Sequence, residues 1–504
     1  MPAKIALILL LCCSTFAFGA EGPPNVLWIC GDDHAAYVYG AYGNRQVRTP
    51  NLDRLAAMGM RFDRAYCNSP VCTASRAAFL TGRYPRSVGV TLLKTALPEK
   101  AVTLAEMLKE AGYRTGAIGK MHFNNDLRHG FDVRLDSPDH ARHLKDRGGR
   151  ALPEELEAQP PWRPFRDHAR IWLNSACLPV DAWDEDMESA YFARETANFL
   201  NQTRGEPFFL MVSFQEPHSP YRFPIEFASR HEPESFGAPA VSKSEEWQIP
   251  QIFRDLTPEE KRGIQAAYYT SVEYLDLNVG RVLEALERSG HGEGTIVIYT
   301  GDHGYMLGQH GRFEKHCSYE EAIRSPLVIK APGFTTPNTH SIAMTELIDI
   351  VPTVLELCGR PIPESVQGRS LVPILQGRDA SLRDAVTIEY AENEEAAIRT
   401  ERYKLVYITG NRQRQDGYKT AIATGRRILL FDMLNDPSEI ANLADQPECA
   451  EIVRGLLARL ADHMARTDPE PEKVPKVSDP AAILDFCLRP RDELMAESRE
   501  RRGN

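Results

Sequence analysis

The sequence predicts an α/β protein: a mostly parallel sheet flanked by helices, followed by a smaller α+β unit with an antiparallel sheet. Three observations support this prediction. Short apolar runs alternate with helical patterns over the first three quarters of the chain. Three of these runs are followed directly by polar clusters, a pattern that favours buried parallel strands with a site at their carboxyl ends. Beyond about residue 380 the runs become shorter and partly alternating, which is typical of an antiparallel sheet.

The first unit is predicted from four buried strands and the helices between them. We expect the strands at residues 25–31, 207–214, 295–300 and 326–329. We expect helices at residues 50–59, 74–82 and 103–110, and a long one from the capping box Thr257–Glu260 to about Gly290. Residues 135–190 are rich in Pro, Arg and Asp without periodicity, which indicates an insertion over one face of the sheet.

The C-terminal unit is predicted from strands at 385–390, 403–407 and 430–431 and an amphipathic helix at 451–464. Residues 468–480 are rich in Pro and charge and are expected to form an exposed tail segment. The predicted organisation is therefore a leader at 1–20, an α/β domain at 21–378, and an α+β subdomain with a tail at 379–504.

The N-terminus has the pattern of an export signal. Lys4 precedes an apolar run from Ile5 to Cys13, and small residues up to Ala20 suit a cleavage site. The run is too short for an ordinary membrane-spanning helix, and no other segment is long and apolar enough to be stably inserted in a membrane. We therefore expect a periplasmic or secreted protein, or one of a lysosomal-type lumen in a eukaryote.

Composition excludes several classes of protein. The 504 residues are 42% hydrophobic and 26% charged, which excludes a polytopic membrane protein and a largely disordered chain. The formal net charge of −11 argues against a nucleic-acid partner. Eight cysteines follow the leader without a CxxC pair, so a zinc-knuckle framework is not expected, and any disulfide pairing stays open.

Polar residues gather where the predicted strands end. Asp32 and Asp33 follow the first strand, His218 follows the second, and Asp302 and His303 follow the third. Ligand sites in parallel sheets lie at the carboxyl ends of the strands, so these side chains are expected to meet. Three carboxylates with one neutral donor favour Ca²⁺ or Mg²⁺ over zinc, because hard cations prefer oxygen ligands.

The most specific motif begins at Cys72. The run Cys72-Thr-Ala-Ser-Arg76, continued by Leu80-Thr-Gly-Arg83, resembles the signature of type I sulfatases of the alkaline-phosphatase-like superfamily. Their signature usually has Pro two residues after the Cys, where this chain has Ala74. In that family the Cys is oxidised to formylglycine by a maturation enzyme.

Other family motifs follow in the expected order, and the resemblance spans roughly residues 25–375. Gly119-Lys120-Met121-His122 resembles the family's Gly-Lys-Trp-His, and Glu216-Pro217-His218 resembles the loop with an active-site His. The pattern around Asp302-His303 and Lys315 is closest to iduronate-2-sulfatase-like members, whereas many relatives have Asn at the position of His303.

The resemblance implies a metal-dependent sulfuric ester hydrolase that acts on a sulfated carbohydrate, with Ca²⁺ as the family's usual ion. It implies that Arg76 and Lys120 orient the formylglycine, that His122 is a base, and that His218 and Lys315 bind the sulfate, one of them protonating the leaving group. Arg83 and His310 would brace the site. The implied metal ligands are Asp32, Asp33, Cys72 (as formylglycine), Asp302 and His303.

Two other functions stay open at this point. A formylglycine-dependent phosphonate monoester or phosphodiester hydrolase shares the same nucleophile and metal site. A non-catalytic binding protein could have kept the fold, although every expected charged position is filled here. Zinc phosphatases of the superfamily carry Ser or Thr as the nucleophile, so Cys72 argues against them. Any one of these candidate site residues, taken alone, would more often have a structural role. The prediction depends on their occurring together, in this order along the chain.

Overall fold

A computed structural model describes residues 22–162, 169–239, 241–412 and 425–492. The predicted export signal at residues 1–20 lies outside this range. Within it, no helix combines the length and apolar character needed to cross a membrane. All eight cysteines that follow the leader lie among the described residues, and each is a free thiol.

The large sheet has eight strands in the order β4-β3-β5-β1-β6-β7-β2-β8. Seven strands run in one direction, and β7 is antiparallel to both neighbours. The strands are β1 (Asn25–Gly31), β2 (Met60–Tyr66), β3 (Arg114–Gly119), β4 (Val133–Leu135), β5 (Phe208–Phe214), β6 (Thr295–Gly301), β7 (Leu327–Lys330) and β8 (Thr339–Glu346).

The register of the central strands aligns their carboxyl ends. Gly31 of β1 pairs with Phe214 of β5 and Gly301 of β6. Gly119 of β3 pairs with Ser213 of β5. The four segments that follow β1, β3, β5 and β6 therefore leave the sheet next to one another, at the carboxyl ends of these strands. The predicted site lies at these ends.

Helices cover both faces of the sheet. The long α9 begins at the predicted capping box, in which Thr257 and Glu260 bond each other's backbone amides. The helices are α1 (Pro50–Met58), α2 (Cys72–Thr81), α3 (Pro85–Val88), α4 (Leu104–Glu110), α5 (Ser137–Arg147), α6 (Ala169–Trp172), α7 (Glu188–Gln202), α8 (Gln251–Arg254), α9 (Pro258–Arg288), α10 (Glu320–Ile323), α11 (Ile350–Leu357), α12 (Val372–Leu375), α13 (Ala450–Arg466) and α14 (Pro480–Cys487).

A second, antiparallel sheet follows in the order β12-β11-β10-β9. Its strands are β9 (Ala385–Tyr390), β10 (Glu395–Thr400), β11 (Tyr403–Ile408) and β12 (Arg427–Asp432). One side of this sheet shares a buried core with the large sheet, and the other side packs against α13 and α14. The α/β and α+β classes predicted from the sequence are confirmed, whereas the domain division at residue 378 stays a prediction.

The segment at 468–480 differs from its predicted role. It is mostly exposed, as expected, but it is a connection and not a tail, because α14 follows it. Leu484 and Cys487 of α14 are buried in one cluster with Leu456 and Leu460 of α13. Asp468 is also buried and forms an ion pair with Arg491. The apolar side chains of α14 therefore pack against α13, and this burial holds the segment after residue 480 against the body of the protein.

Candidate active site

The carboxyl ends of four parallel strands deliver charged side chains to one buried cluster. Asp32 and Asp33 leave β1, Lys120 leaves β3, and Asp302 and His303 leave β6. His218 lies four residues beyond the end of β5. The aligned register brings these residues together, as the strand-end pattern predicts.

Helix α2 points its first turn at this cluster. Cys72 is the first helical residue and is fully buried, and Arg76 lies one turn later on the same side. The Ser75 hydroxyl donates to the Asp302 carbonyl at 2.5 Å, which ties the helix to the end of β6. The free amides of a helix N-terminus favour negative charge, so residue 72 sits in an environment suited to an anion.

The Cys72 thiol has three polar neighbours. Its Sγ lies 3.2 Å from His303 Nε2 and 3.2 Å from Lys315 Nζ. Asp33 Oδ1 lies 3.7 Å from the same sulfur. Lys315 also donates to Asp33 Oδ1 at 2.6 Å. The predicted nucleophile position is therefore in contact with predicted metal ligands and with a predicted sulfate-binding lysine.

Two cations neutralise Asp32. Lys120 Nζ pairs with its Oδ2, and Arg76 Nη2 lies 3.4 Å from its Oδ1. Burial alone would raise the pKa of Asp32, but the nearby cations Lys120 and Arg76 hold this pKa well below its usual range. Arg76 Nε also donates to Asp302 Oδ2 at 3.0 Å. Arg76 thus links two carboxylates from different strands and keeps both oriented.

Two of the histidines predicted for the site, His122 and His218, are neutral at pH 7. Burial and the nearby Lys120 lower the pKa of His122 to about 3. Burial and the nearby Lys315 and Lys120 hold the pKa of His218 well below its usual range. His122 Nδ1 is buried without a hydrogen-bond partner among the described residues. The unpartnered nitrogen leaves His122 an acceptor site, as the implied base role requires, but a pKa of about 3 makes the ring a weak base until an anion binds beside it.

The cluster fits a hard divalent cation. Asp33 Oδ2 is buried and has no hydrogen-bond partner among the described residues. His303 Nδ1 lies 2.9 Å from the Gly304 carbonyl, so its Nε2 is left for another contact. Two sets of potential ligand atoms lie within 4.8 Å of one another: Asp32, Asp33, Cys72 and His218, and Cys72, Asp302 and His303. Three of these six residues are carboxylates, which supply the oxygen ligands that Ca²⁺ and Mg²⁺ prefer.

A cleft of about 430 Å³ opens onto this cluster. Asp33, Cys72, Lys120, His218 and Lys315 form its charged floor. Apart from His122, the rest of its lining carries no sequence motif and consists largely of aromatic and polar side chains from separate parts of the chain. These residues are Leu93, Lys94, Asn124, Trp162, Trp172, Gln215, Ser219, Tyr305, Glu314 and His316, and His122 lies among them.

Two predicted bracing residues lie outside the cleft lining. Arg83 donates to the Ser87 carbonyl at 2.8 Å. His310 Nδ1 lies 2.5 Å from Glu245 Oε1, and its ring stacks on Tyr319 with centroids 3.7 Å apart. Both side chains therefore make structural contacts away from the charged floor.

Comparison with known proteins assigns the family. The sequence profile "Sulfatase" matches residues 24–360, which include every predicted site residue. The chain belongs to the sulfatase family. A second profile, "N-sulphoglucosamine sulphohydrolase, C-terminal", matches residues 308–466. This sulfatase is therefore a sulfuric ester hydrolase, and its family implies both a metal ion and a formylglycine.

Individual relatives agree with this assignment. An arylsulfatase of Clostridium perfringens is 28% identical over 85% of this chain and 92% of its own length. An N-acetylglucosamine-6-O-sulfatase of Bacteroides thetaiotaomicron is 26% identical over 87% of this chain and 86% of its own length. The iduronate-2-sulfatase-like branch predicted from the sequence stays a prediction.

Solved structures confirm the alkaline-phosphatase-like fold. A phosphonate monoester hydrolase of Agrobacterium radiobacter matches with a TM-score of 0.74 at 24% identity, over 88% of this chain and 96% of its own. A protein solved with its substrate D-glucosamine-2-N,6-O-disulfate matches with a TM-score of 0.72 at 23% identity, over 90% and 99% of the two chains.

Proposed function

We propose that this sulfatase removes sulfate from a sulfated carbohydrate, using a formylglycine formed from Cys72 and a bound divalent cation, Ca²⁺ or Mg²⁺. The observation that carries the proposal is the position of Cys72 at the start of α2, within 3.7 Å of Asp33 and 3.2 Å of both His303 and Lys315. Asp32, Asp33, Asp302 and His303 would hold the cation, with residue 72 beside it.

The side chains around residue 72 have separate roles in the proposed ester cleavage. The formylglycine and the cation would supply the nucleophile and polarise the sulfate. Lys315 Nζ lies close enough to residue 72 to neutralise charge on a sulfate bound there. Arg76 and Lys120 keep Asp32 ionised, and they would orient the group at residue 72, as the family resemblance implies.

We assign the proposed proton transfers to His122, His218 and Lys315. His122 has a buried nitrogen without a hydrogen-bond partner among the described residues. Negative charge on a sulfate bound at residue 72 would raise its low pKa, so that His122 could take up a proton when sulfate is released. His218 Nδ1 lies 2.7 Å from the Ser219 carbonyl, and its Nε2 lies 3.9 Å from Asp33 Oδ2 on the cleft floor. His218 or Lys315 would protonate the leaving alkoxide.

The cleft walls support a carbohydrate substrate. Trp162 leaves 47% of its surface exposed, and its ring centroid lies 6.2 Å from that of His218. An exposed aromatic face beside polar groups suits the apolar face of a sugar ring. Amino sugars appear in both comparisons: one relative is named an N-acetylglucosamine-6-O-sulfatase, and one solved structure holds glucosamine disulfate as its substrate.

The proposal includes export and maturation. The apolar N-terminal run would direct export to the periplasm, the medium or a lysosome-like lumen. A formylglycine-generating enzyme would be a partner of the unfolded chain, because Cys72 is fully buried after folding. That enzyme must accept Ala74 in place of the usual Pro.

The mass of the tryptic peptide 65–76 from active enzyme tests the nucleophile. The peptide contains both Cys67 and Cys72, so Cys67 serves as an internal unmodified thiol. We expect Cys72 as the aldehyde or its hydrate and Cys67 as a thiol. We also expect Cys72→Ala to lose at least about 100-fold in kcat without unfolding, whereas Cys317→Ala, another buried cysteine outside the cleft lining, keeps activity. A plain Cys72 thiol in fully active enzyme would refute the proposed nucleophile.

A second candidate function is phosphonate monoester or phosphodiester hydrolysis. The similarity to the Agrobacterium phosphonate monoester hydrolase favours it as the alternative. Sulfate and phosphonate esters with the same leaving group should be assayed side by side. We expect the higher kcat/KM for the sulfate ester, and the reverse order would establish the alternative.

A further inference from the structure

The loop at residues 91–95 forms one wall of the substrate cleft. It lies between α3 and α4, and Leu93 and Lys94 from this loop line the cleft. The loop also rests on the first turn of α2, because the Thr73 hydroxyl donates to the Leu93 carbonyl at 2.7 Å. Its conformation therefore sets the shape of the cleft next to residue 72.

The carboxylate of Asp492 accepts four hydrogen bonds from this loop. It accepts hydrogen bonds from the backbone amides of Thr91 at 3.3 Å and Leu92 at 3.1 Å. It also accepts from the hydroxyl of Thr91 at 2.5 Å and from that of Thr95. No ion pair joins Asp492 to a cation among residues 22–162, 169–239, 241–412 and 425–492. The four hydrogen bonds named above all come from the loop.

Two further contacts hold the loop in the same position. Glu392, in the turn between β9 and β10, accepts from the Leu93 amide at 3.1 Å. Asn124, which also lines the cleft, donates to the carbonyls of Leu93 and Thr95, both at 3.0 Å. The C-terminal unit thus supplies two acidic side chains that accept from the loop, and the cleft lining supplies Asn124, which donates to it.

We propose that Asp492 is a positioning residue that sets the substrate-binding wall of the cleft from the C-terminal unit. Because Leu93 and Lys94 lie on that wall, Asp492 governs binding of the substrate beyond the sulfate group. The polar neighbours of the Cys72 thiol, Asp33, His303 and Lys315, do not belong to the loop, so we expect them to keep their positions. An apolar residue at position 492 leaves two amides and two hydroxyls without their acceptor, so the loop opens toward water. The effect on substrate binding rests on the proposed function, whereas the effect on the loop does not.

The test compares Asp492→Ala with Asp485→Ala in the full-length, matured enzyme. Asp485 is a matched control, because it is a carboxylate of the C-terminal unit that accepts from Tyr407 at 2.6 Å and pairs with Arg426 at 2.5 Å, with no contact to the loop. Hydrogen exchange of the Thr91 and Leu92 amides reports the loop. Steady-state kinetics with a sulfated disaccharide and with 4-nitrophenyl sulfate separate binding beyond the sulfate from ester cleavage.

For Asp492→Ala we expect faster exchange at both amides and a KM for the disaccharide raised about tenfold. We expect kcat and KM for 4-nitrophenyl sulfate within about twofold of the wild type. Asp485→Ala should change none of these. If Asp492→Ala does not fold, Asp492→Asn keeps one acceptor oxygen and should show the same pattern with smaller changes.

Unchanged exchange at Thr91 and Leu92 would overturn the proposal, and so would equal losses on both substrates. Failure of the proposed substrate class is distinguishable from these outcomes. Wild-type enzyme that leaves the disaccharide intact would refute the carbohydrate substrate, and the exchange experiment would still decide the role of Asp492.

Discussion

At the scale of single residues, each buried carboxylate of the active site lies beside at least one buried or half-buried cationic side chain. Lys120 and Arg76 face Asp32, Lys315 faces Asp33, and Arg76 also faces Asp302. An isolated buried charge would be costly, so each of these groups stabilises its partner. The residue types and their order could be predicted from the sequence because each belongs to a local motif.

Asp302 is expected to be required for metal binding. Asp302→Asn should lose the bound cation and at least about 100-fold in kcat, because the site loses one anionic ligand. Asp276→Asn is a matched control, since Asp276 is also a buried carboxylate that accepts from backbone amides, but on α9 away from the cleft. Metal content per chain, measured by elemental analysis, should be near one for this control. A stoichiometric cation in Asp302→Asn would remove Asp302 from the ligand set.

His463 should make stability depend on pH. Burial, followed by the nearby Arg466, lowers the pKa of His463 from 6.5 to about 3. Below pH 6.5 the unfolded chain binds a proton that the folded chain does not, so stability falls as pH drops from 6.5 toward 3. Between pH 7 and pH 5 this residue should cost about 2 kcal/mol of unfolding free energy. Urea unfolding at both pH values should show a smaller loss for His463→Gln, and equal losses would contradict the assignment.

At the scale of elements, periodicity identified the long and strongly apolar segments. It predicted β1, β5, β6 and α9, but it missed β2, β3, β4, β8 and β10. The sequence of β2, Met60–Tyr66, carries three charged residues, and β3 contains two glycines, so neither has an apolar run. Pairing with neighbours, and not local propensity, makes these segments strands.

Gly82 ends the helix that carries Cys72, and its substitution should destabilise the protein. Its φ of +67° is left-handed, and an added Cβ would lie 2.9 Å from Val351 Cβ. Gly359 has a similar φ of +64° with open space around it. Gly359→Ala should therefore cost about 1 kcal/mol from backbone strain alone, and Gly82→Ala should cost more because of the clash. Urea unfolding measures the loss of unfolding free energy for both variants. Equal losses would show that Val351 can move away from the added Cβ without destabilising the protein.

At the scale of the whole molecule, buried ion pairs connect the C-terminal unit to the α/β body. Arg86 of α3 lies 3.3 Å from Glu389 of β9, and Arg383 lies 2.7 Å from Asp349, which precedes α11. The buried core of the large sheet also includes Val386 and Ile388 of β9. The C-terminal unit is therefore packed as a continuation of the main core.

Arg86→Met should test this connection. The substitution leaves Glu389 buried without its cation, which is expected to cost about 3–5 kcal/mol. Arg466→Ala is the control, because the Arg466 side chain is 69% exposed in its pair with Asp462 and should change stability by less than about 0.5 kcal/mol. Thermal unfolding should show a large fall in Tm for Arg86→Met only. Equal Tm values for the two variants would mean that the pair between Arg86 and Glu389 adds nothing to stability.

Sequence patterns are enough to predict the α/β class, the strand ends that carry Asp32, Asp33, Asp302 and His303, and the identity of the residues around Cys72. These features are local, because each depends on a short run of neighbouring residues. Which loops meet above the charged floor depends instead on tertiary packing. Trp162, Leu93 and Asp492 are far apart in the chain and come together only through the packing of the insertion and of the C-terminal unit. Such contacts leave no local pattern, since the free energy that selects them comes from burial across the whole fold.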